Sequence, residues 1–262
     1  YRIKGYRDIM TNPYDTIVFD DALDKAIEQR VQSIGADGRL ILDTDGSVLQ
    51  VSLIEKLLVT LLAKLTNFIP DAGIWMNTQR PEWNDANNAL VGTGVSVVTL
   101  CYMHRFLKQI MPLIEELTDQ SVSLSVEVGT LFEAVAQTLL DHRDALSTGP
   151  VSDQTRKIVM DSLGTAGETY REQIYSAGFS GKRTEISASN LLNFLTTATS
   201  VAATSIRNNR NADGLYHAYN RIQIDADGAE IRRLYEMLEG QVAVLSTDVL
   251  DAEEALNLLR RL

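Results

Sequence analysis

Apolar residues return every three or four positions through most of this chain, and that spacing constrains the fold more than any other feature. Leu124, Val128, Leu131, Val135 and Leu139 form one stripe. Val159, Leu163, Ala166, Tyr170 and Ile174 form a second, and Leu191, Leu195, Ala198, Ala202 and Ser205 a third. A period near 3.6 places each set on one face of a helix. Phe19, Leu23, Ile27 and Val31 recur every four residues around Asp20-Asp21 and stop at Gly35, which predicts a capped helix. Residues 48–65 are nearly saturated with Leu and Val, so that helix should be buried on most sides. Residues 89–117 read as a long helix bending near Pro112. The last helices are predicted over 228–239 and 247–262.

Strand signals are sparse. Residues 40–42 and 221–224 are the best, each beside an Asp-Gly turn. Residues 121–128 alternate strictly and fit either a short strand or the start of a helix. The pattern gives about eight helices joined by polar loops. The expected fold is therefore all-α, with helical hairpins in an (α/α) toroid-like or partial toroid arrangement and very little strand. Helical texture is the same on both sides of Gly149-Pro150, so residues 1–262 are read as one domain. The chain starts at Tyr1 and ends within a helical pattern, which fits a piece of a longer multidomain protein.

The net charge of −11 argues against a nucleic-acid backbone or an anionic membrane as the main partner. Residues 95–114 are the most apolar long stretch, but His104, Arg105 and Lys108 interrupt it, so a core helix is expected there and not a membrane span. Cys101 is the single cysteine, which excludes an intrachain disulfide and a cysteine-based zinc site. It is expected to be a small buried residue in a protein of a reducing, cytoplasmic compartment. No metal and no cofactor are expected. His104 and His142 stand beside arginines on predicted helices and are expected at the surface.

The chemistry concentrates in residues 80–88, Arg-Pro-Glu-Trp-Asn-Asp-Ala-Asn-Asn. Pro81 disfavours helix at Arg80, so this segment is predicted to be a loop entering the helix that follows. Asp85, Asn87 or Asn88 would cap that helix, yet one cap needs one such residue and four crowd here. Amides and carboxylates bind vicinal hydroxyls in pairs, and an indole covers the apolar face of a sugar ring. The two tryptophans, Trp75 and Trp83, lie in or just before this segment. A carboxyl group desolvated by Trp83 would stay protonated, as a general acid must.

Glu82-Trp83-Asn84-Asp85 resembles the Asp-Trp-Asn-Asp segment of cellobiose-phosphorylase-like enzymes, and more broadly the six-hairpin (α/α)6-barrel glycosidases and glycoside phosphorylases. The resemblance covers only these few residues. It implies Asp85 as general acid and Trp83 and Asn84 in the sugar site; Glu82, where the family segment has Asp, would stand in support or as a weaker alternative. Trp75, Arg80, Asn87 and Asn88 would complete the sugar contacts. Twelve helices close such a barrel, so this chain is expected to hold part of one.

Two further segments carry polar groups. Gly178 to Glu185 offers Lys182 and Arg183 for a phosphate or sugar hydroxyls, and Glu185 as a second carboxylate. The alternative is a glycine-terminated helix and a solvated turn. Tyr216 and His217 belong to a strip that fits sugar contacts, or hydrogen bonding in the core. Asp43 to Gly46 and Asp225 to Gly228 read as turns. The expected function is a carbohydrate-active protein of glycoside-hydrolase type acting on a small carbohydrate or oligosaccharide. The alternatives are a glycoside phosphorylase and a non-catalytic helical scaffold or interaction domain, including an inactive fragment of a glycosidase completed by other domains.

Overall fold

The computed structural model describes residues 1–77, 89–90, 92–117 and 120–262. The chain opens with β1 (Arg2–Ile3), α1 (Tyr6–Thr11), β2 (Ile17–Val18), α2 (Asp21–Ile34) and a 3-10 turn. It continues through α3 (Leu53–Leu65), β3 (Phe68–Ile69), β4 (Gly73–Trp75), β5 (Gly94–Ser96) and α4 (Val97–Glu115). Then come β6 (Ser121–Ser125), α5 (Val126–Asp141), α6 (Arg143–Ser147), α7 (Asp153–Ala177), β7 (Arg183–Ser187) and α8 (Ala188–Arg207). The chain closes with β8 (Tyr219–Ile224), β9 (Ala229–Arg233), α9 (Leu238–Leu245) and α10 (Ala252–Leu259).

The all-α toroid is corrected by this architecture, which is mixed: 57% helix and 16% strand. β3, β4, β5, β8 and β9 form a five-stranded antiparallel sheet in that order. The reason lies in strand length. β3, β4 and β5 have two or three residues each, too few to display an alternation, and β5 runs directly into the apolar stretch of the following helix. The helix expected over 228–239 is likewise replaced by β9, whose Ala229 and Ile231 alternate with charged residues. Asp225 Oδ1 accepts the N–H groups of Asp227 and Gly228, both at 2.9 Å, and closes the β8–β9 turn. Among the other strand signals, 121–125 becomes β6, whereas 40–42 contributes only an isolated bridge from Leu42 to Val48.

Most predicted helices are present with shifted ends. The long helix from 89 begins only at Val97, because β5 precedes it and Ser96 caps it through the Thr99 N–H at 3.0 Å. Pro112 lies in its last turn, where the helix continues to Glu115. α2 has the Asp20 cap and Gly35 stop that its sequence dictates, yet none of its residues is buried. Its apolar stripe is too weak against its charges to require a partner.

The five long helices α3, α4, α5, α7 and α8 alternate in direction. Glu55 in the first turn of α3 accepts the Ser125 N–H at 3.0 Å, so α3 and α5 start together beside β6. α3 runs into β3, and α4 runs back from β5. Just ahead of α7, the Val151 N–H donates to Asp71 Oδ2 at 2.8 Å, and α8 ends where Asn208 and Asn209 bond Asp71. The five-stranded sheet therefore closes one end of the helices, and the β6–β7 pair closes the other. Helices of 13 to 25 residues span about 20–37 Å, which separates the two ends. Between them Leu58, Leu62, Leu100, Leu107, Leu131, Val135, Leu163 and Leu195 are buried, with Phe132 edge-on to Phe194 at 5.1 Å. Each such side chain contributes roughly 1.5–3 kcal/mol.

Candidate functional site

The sheet end is built around a turn between β3 and β4. Asp71 there has φ 61°, the only positive φ of a non-glycine among the described residues. Its surroundings hold it in that conformation. Oδ1 accepts from Asn208 at 2.8 Å, the N–H donates to Ser205 Oγ at 3.1 Å, and the carbonyl accepts from Asn209 at 3.0 Å and Arg233 at 2.7 Å. Arg156, 5% exposed, donates to the carbonyls of Pro70, Ala229 and Val151 and contacts Asp71 Oδ2 at 3.4 Å. Burial pulls the Arg233 guanidinium down to about 10. Asn220 of β8 ties the same turn to the sheet by donating to the Ala72 carbonyl at 2.8 Å.

β4 and β5 grow from this turn as a rigid pair. Trp75 opposes Val95, the Met76 N–H donates to the Gly94 carbonyl, and the Gly92 N–H donates to the Met76 carbonyl. Arg80, Glu82, Trp83, Asn84, Asp85, Asn87 and Asn88 belong to the connection between these strands and lie outside the described residues. Trp75 is described: it is 4% exposed, its Nε1–H donates to the Gly92 carbonyl at 3.0 Å, and Tyr6 meets its ring edge-on. Its indole is a wall of the core. It also borders a cavity of 270 Å³ lined by Thr93, Arg221, Ile222 and Gln223, with Arg221 Nε 3.4 Å from Thr93 Oγ1.

Tyr216 and His217 lie at this same end, because Ala218 accepts the Val97 N–H at the start of α4. The Tyr216 backbone and the His217 Nδ1 are used within the chain. Tyr216 is buried and exchanges two backbone hydrogen bonds with the Gln241 side chain, at 2.8 and 2.6 Å. His217 Nδ1 lies 2.6 Å from the Leu234 carbonyl, which assigns the proton to Nδ1, and 3.8 Å from Glu236 Oε1.

Lys182, Arg183 and Glu185 stand at the opposite end of the helices. Glu185 is exposed on β7 and accepts from Ser121 Oγ at 2.7 Å; the serine hydroxyls and then Arg183 hold its carboxyl below the usual range. Arg183 reaches across to the Ser123 carbonyl at 2.6 Å and to Glu55 Oε2 at 2.9 Å. Glu55 and Glu127, each 1% exposed, are the polar residues of this end that the sequence reading passed over. The available signal was a lone acid inside an apolar helical run, as in Val126-Glu127-Val128.

The structure thus brings residues 73–76, 92–96 and 216–224 together and leaves 182–185 apart from them. His104, expected at the surface, is 2% exposed, because it faces the turn after α9, with Nδ1 3.6 Å from Asp248. Burial pushes the Cys101 thiol up to about 12, which leaves it an unreactive core residue. Among the described residues, no three His, Cys, Asp or Glu side chains gather as a metal site would require, and no helix is long and apolar enough to cross a membrane. Compared with known proteins, the chain matches no protein-family model and no curated protein.

Proposed function

We propose that this chain is a carbohydrate-active protein of glycoside-hydrolase type, with Asp85 as the general acid. One observation carries the reading furthest. The connection bearing Glu82-Trp83-Asn84-Asp85 is inserted between two short strands whose bases are fixed by paired hydrogen bonds. Trp75 of β4 and Thr93, just ahead of β5, border a cavity whose walls carry a hydroxyl, a guanidinium and an amide among Ile9, Met10, Ile222 and Ile224. Such groups suit the hydroxyls of a sugar. The proposal rests on the chemistry of the segment and not on a closed helical toroid.

The geometry redistributes the supporting roles. Glycoside cleavage by inversion places a second carboxylate roughly 6.5–9.5 Å from the acid. Glu185 stands at the far end of the helices, away from β4 and β5, so it does not take that role in this reading. Phosphorolysis would likewise draw on Arg221 rather than Lys182 or Arg183. The burial of Trp75 favours a second reading, a non-catalytic scaffold, because it removes one indole from sugar stacking.

A panel of aryl glycosides and oligosaccharides, assayed with and without inorganic phosphate, separates these readings. The expected result is turnover by the wild type and none by Asp85→Asn at an unchanged melting temperature. Equal activity of the two proteins, or no binding of any saccharide by either, overturns the proposal.

A further inference from the structure

The cavity between α1 and β8 presents a positive charge in a strongly acidic protein. Its lining includes Arg221 and no Asp or Glu, although the chain carries 35 acidic residues against 24 basic ones. Among the described residues Arg221 forms no ion pair, and its hydrogen bond from Nε to Thr93 Oγ1 is long at 3.4 Å. Arg232 stands directly opposite it on β9, and like charges so placed repel. Glu230, the acid of that strand, lies 3.7 Å from Arg232. That carboxylate is therefore committed to Arg232.

A guanidinium on a concave wall with no acid beside it selects for an anion. Its fork of N–H groups matches the two oxygens of one carboxylate. Thr93 and Gln223 add neutral polar groups to the same lining. Arg221 and Gln223 stand two residues apart on β8, so they leave the same face of the strand. The rest of the lining is largely apolar, with Ile9, Met10, Ile222 and Ile224, which suits the C–H face of a sugar ring. Charge decides between anions. One guanidinium neutralises one carboxylate, whereas a phosphate group carries about −1.5 to −2 at neutral pH and would keep a surplus here. The net charge of −11 opposes any anion at a distance. Salt screens that field beyond about 8 Å, so the contact with Arg221 governs binding.

We propose that this cavity selects a saccharide with a uronic acid residue, whose carboxylate accepts from the Arg221 guanidinium while its ring lies against the apolar wall. The inference rests on the carbohydrate reading and names the substrate class within it. Calorimetric titration of the full chain with para-nitrophenyl glucuronide and galacturonide, each against the uncharged glucoside or galactoside, tests it. One uronide should bind about tenfold more tightly than its uncharged counterpart, the worth of a hydrogen bond to a charged group. Arg221→Gln, a substitution at an exposed position, should abolish that preference. Arg221→Lys, which keeps the charge without the fork, should retain only part of it. Equal binding of uronide and neutral glycoside, or a preference that survives Arg221→Gln, overturns the proposal. Displacement of the uronide by an equal concentration of inorganic phosphate assigns Arg221 to phosphate and overturns it as well. Turnover of neutral glycosides that depends on Asp85, with no uronide preference, sinks this inference and leaves the carbohydrate reading standing. Binding of no saccharide at all sinks both.

Discussion

Arg156 shows how much one buried side chain can hold together. Its guanidinium binds three carbonyls and two carboxylates, and through Asp71 it joins the β3–β4 turn to α7, α8 and β9. Removing it leaves the Asp71 carboxylate, 3% exposed, without its ion pair, although Arg233 still bonds the Asp71 carbonyl. Arg156→Met should therefore cost about 3–5 kcal/mol, the usual penalty for breaking a buried pair, measured as a lowered urea midpoint. A loss below 1 kcal/mol would mean that Asn208 and the Val151 N–H suffice. Nothing in the sequence around Arg156 announces this role. In sequence it is one charged residue just ahead of the helix stripe that begins near Val159, and three of its partners, Pro70, Asp71 and Ala229, stand more than seventy positions away.

At the scale of elements, the β4–β5 pair is the frame from which the proposed catalytic segment springs. Gly73 makes its closest approach: φ is 127°, and a Cβ there would come 2.4 Å from the Ser96 carbonyl oxygen. Gly73→Ala combines a strained backbone with a clash against main chain that cannot move aside. It should destabilise the fold by about 2–4 kcal/mol and disturb saccharide binding before the helices melt. Far-ultraviolet circular dichroism followed against saccharide binding measures both. The helices were legible because their stripes run for many turns. The capped start of α2 at Asp20 and the β8–β9 turn at Asp225-Gly228 were legible from local chemistry. β3, β4 and β5 were not, because two or three residues carry no period and their stability comes from the neighbours they pair with.

For the whole molecule, pH should act in one direction. Burial lowers the His104 pKa below its ordinary value, so the folded protein holds the imidazole neutral while the unfolded chain takes up a proton. Asp248 opposes that shift, and Lys108 and Arg207 reinforce it. Stability from this group is full above the unfolded value of about 6.5 and is lost as pH falls below it. The carboxyl groups of Glu127 and Asp248 are also lowered in the fold, by hydrogen bonds and nearby Lys182 and Lys108. Their contribution is lost at lower pH still, through the ordinary carboxylate range and below it. Urea midpoints taken between pH 7.5 and pH 4 should fall in two stages, and His104→Gln should flatten the first. A midpoint that rises on acidification contradicts the assignment of His104 as a buried neutral imidazole.

The sequence by itself determined the apolar stripes of most long helices, the Asp20 cap and Gly35 stop of α2, and the burial of Cys101, since these follow from periodicity and from local hydrogen bonding. It also singled out residues 80–88 by their carboxylates, amides and indole, the chemistry on which the carbohydrate proposal rests. Only the tertiary structure decided that the helices are closed at one end by a five-stranded sheet, that His104 turns inward, and that Lys182, Arg183 and Glu185 stand far from the strands bearing that segment. The reason is physical: a helix repeats its own hydrogen bonds, but a two-residue strand, a buried ion pair or a shared site exists only when distant parts of the chain meet.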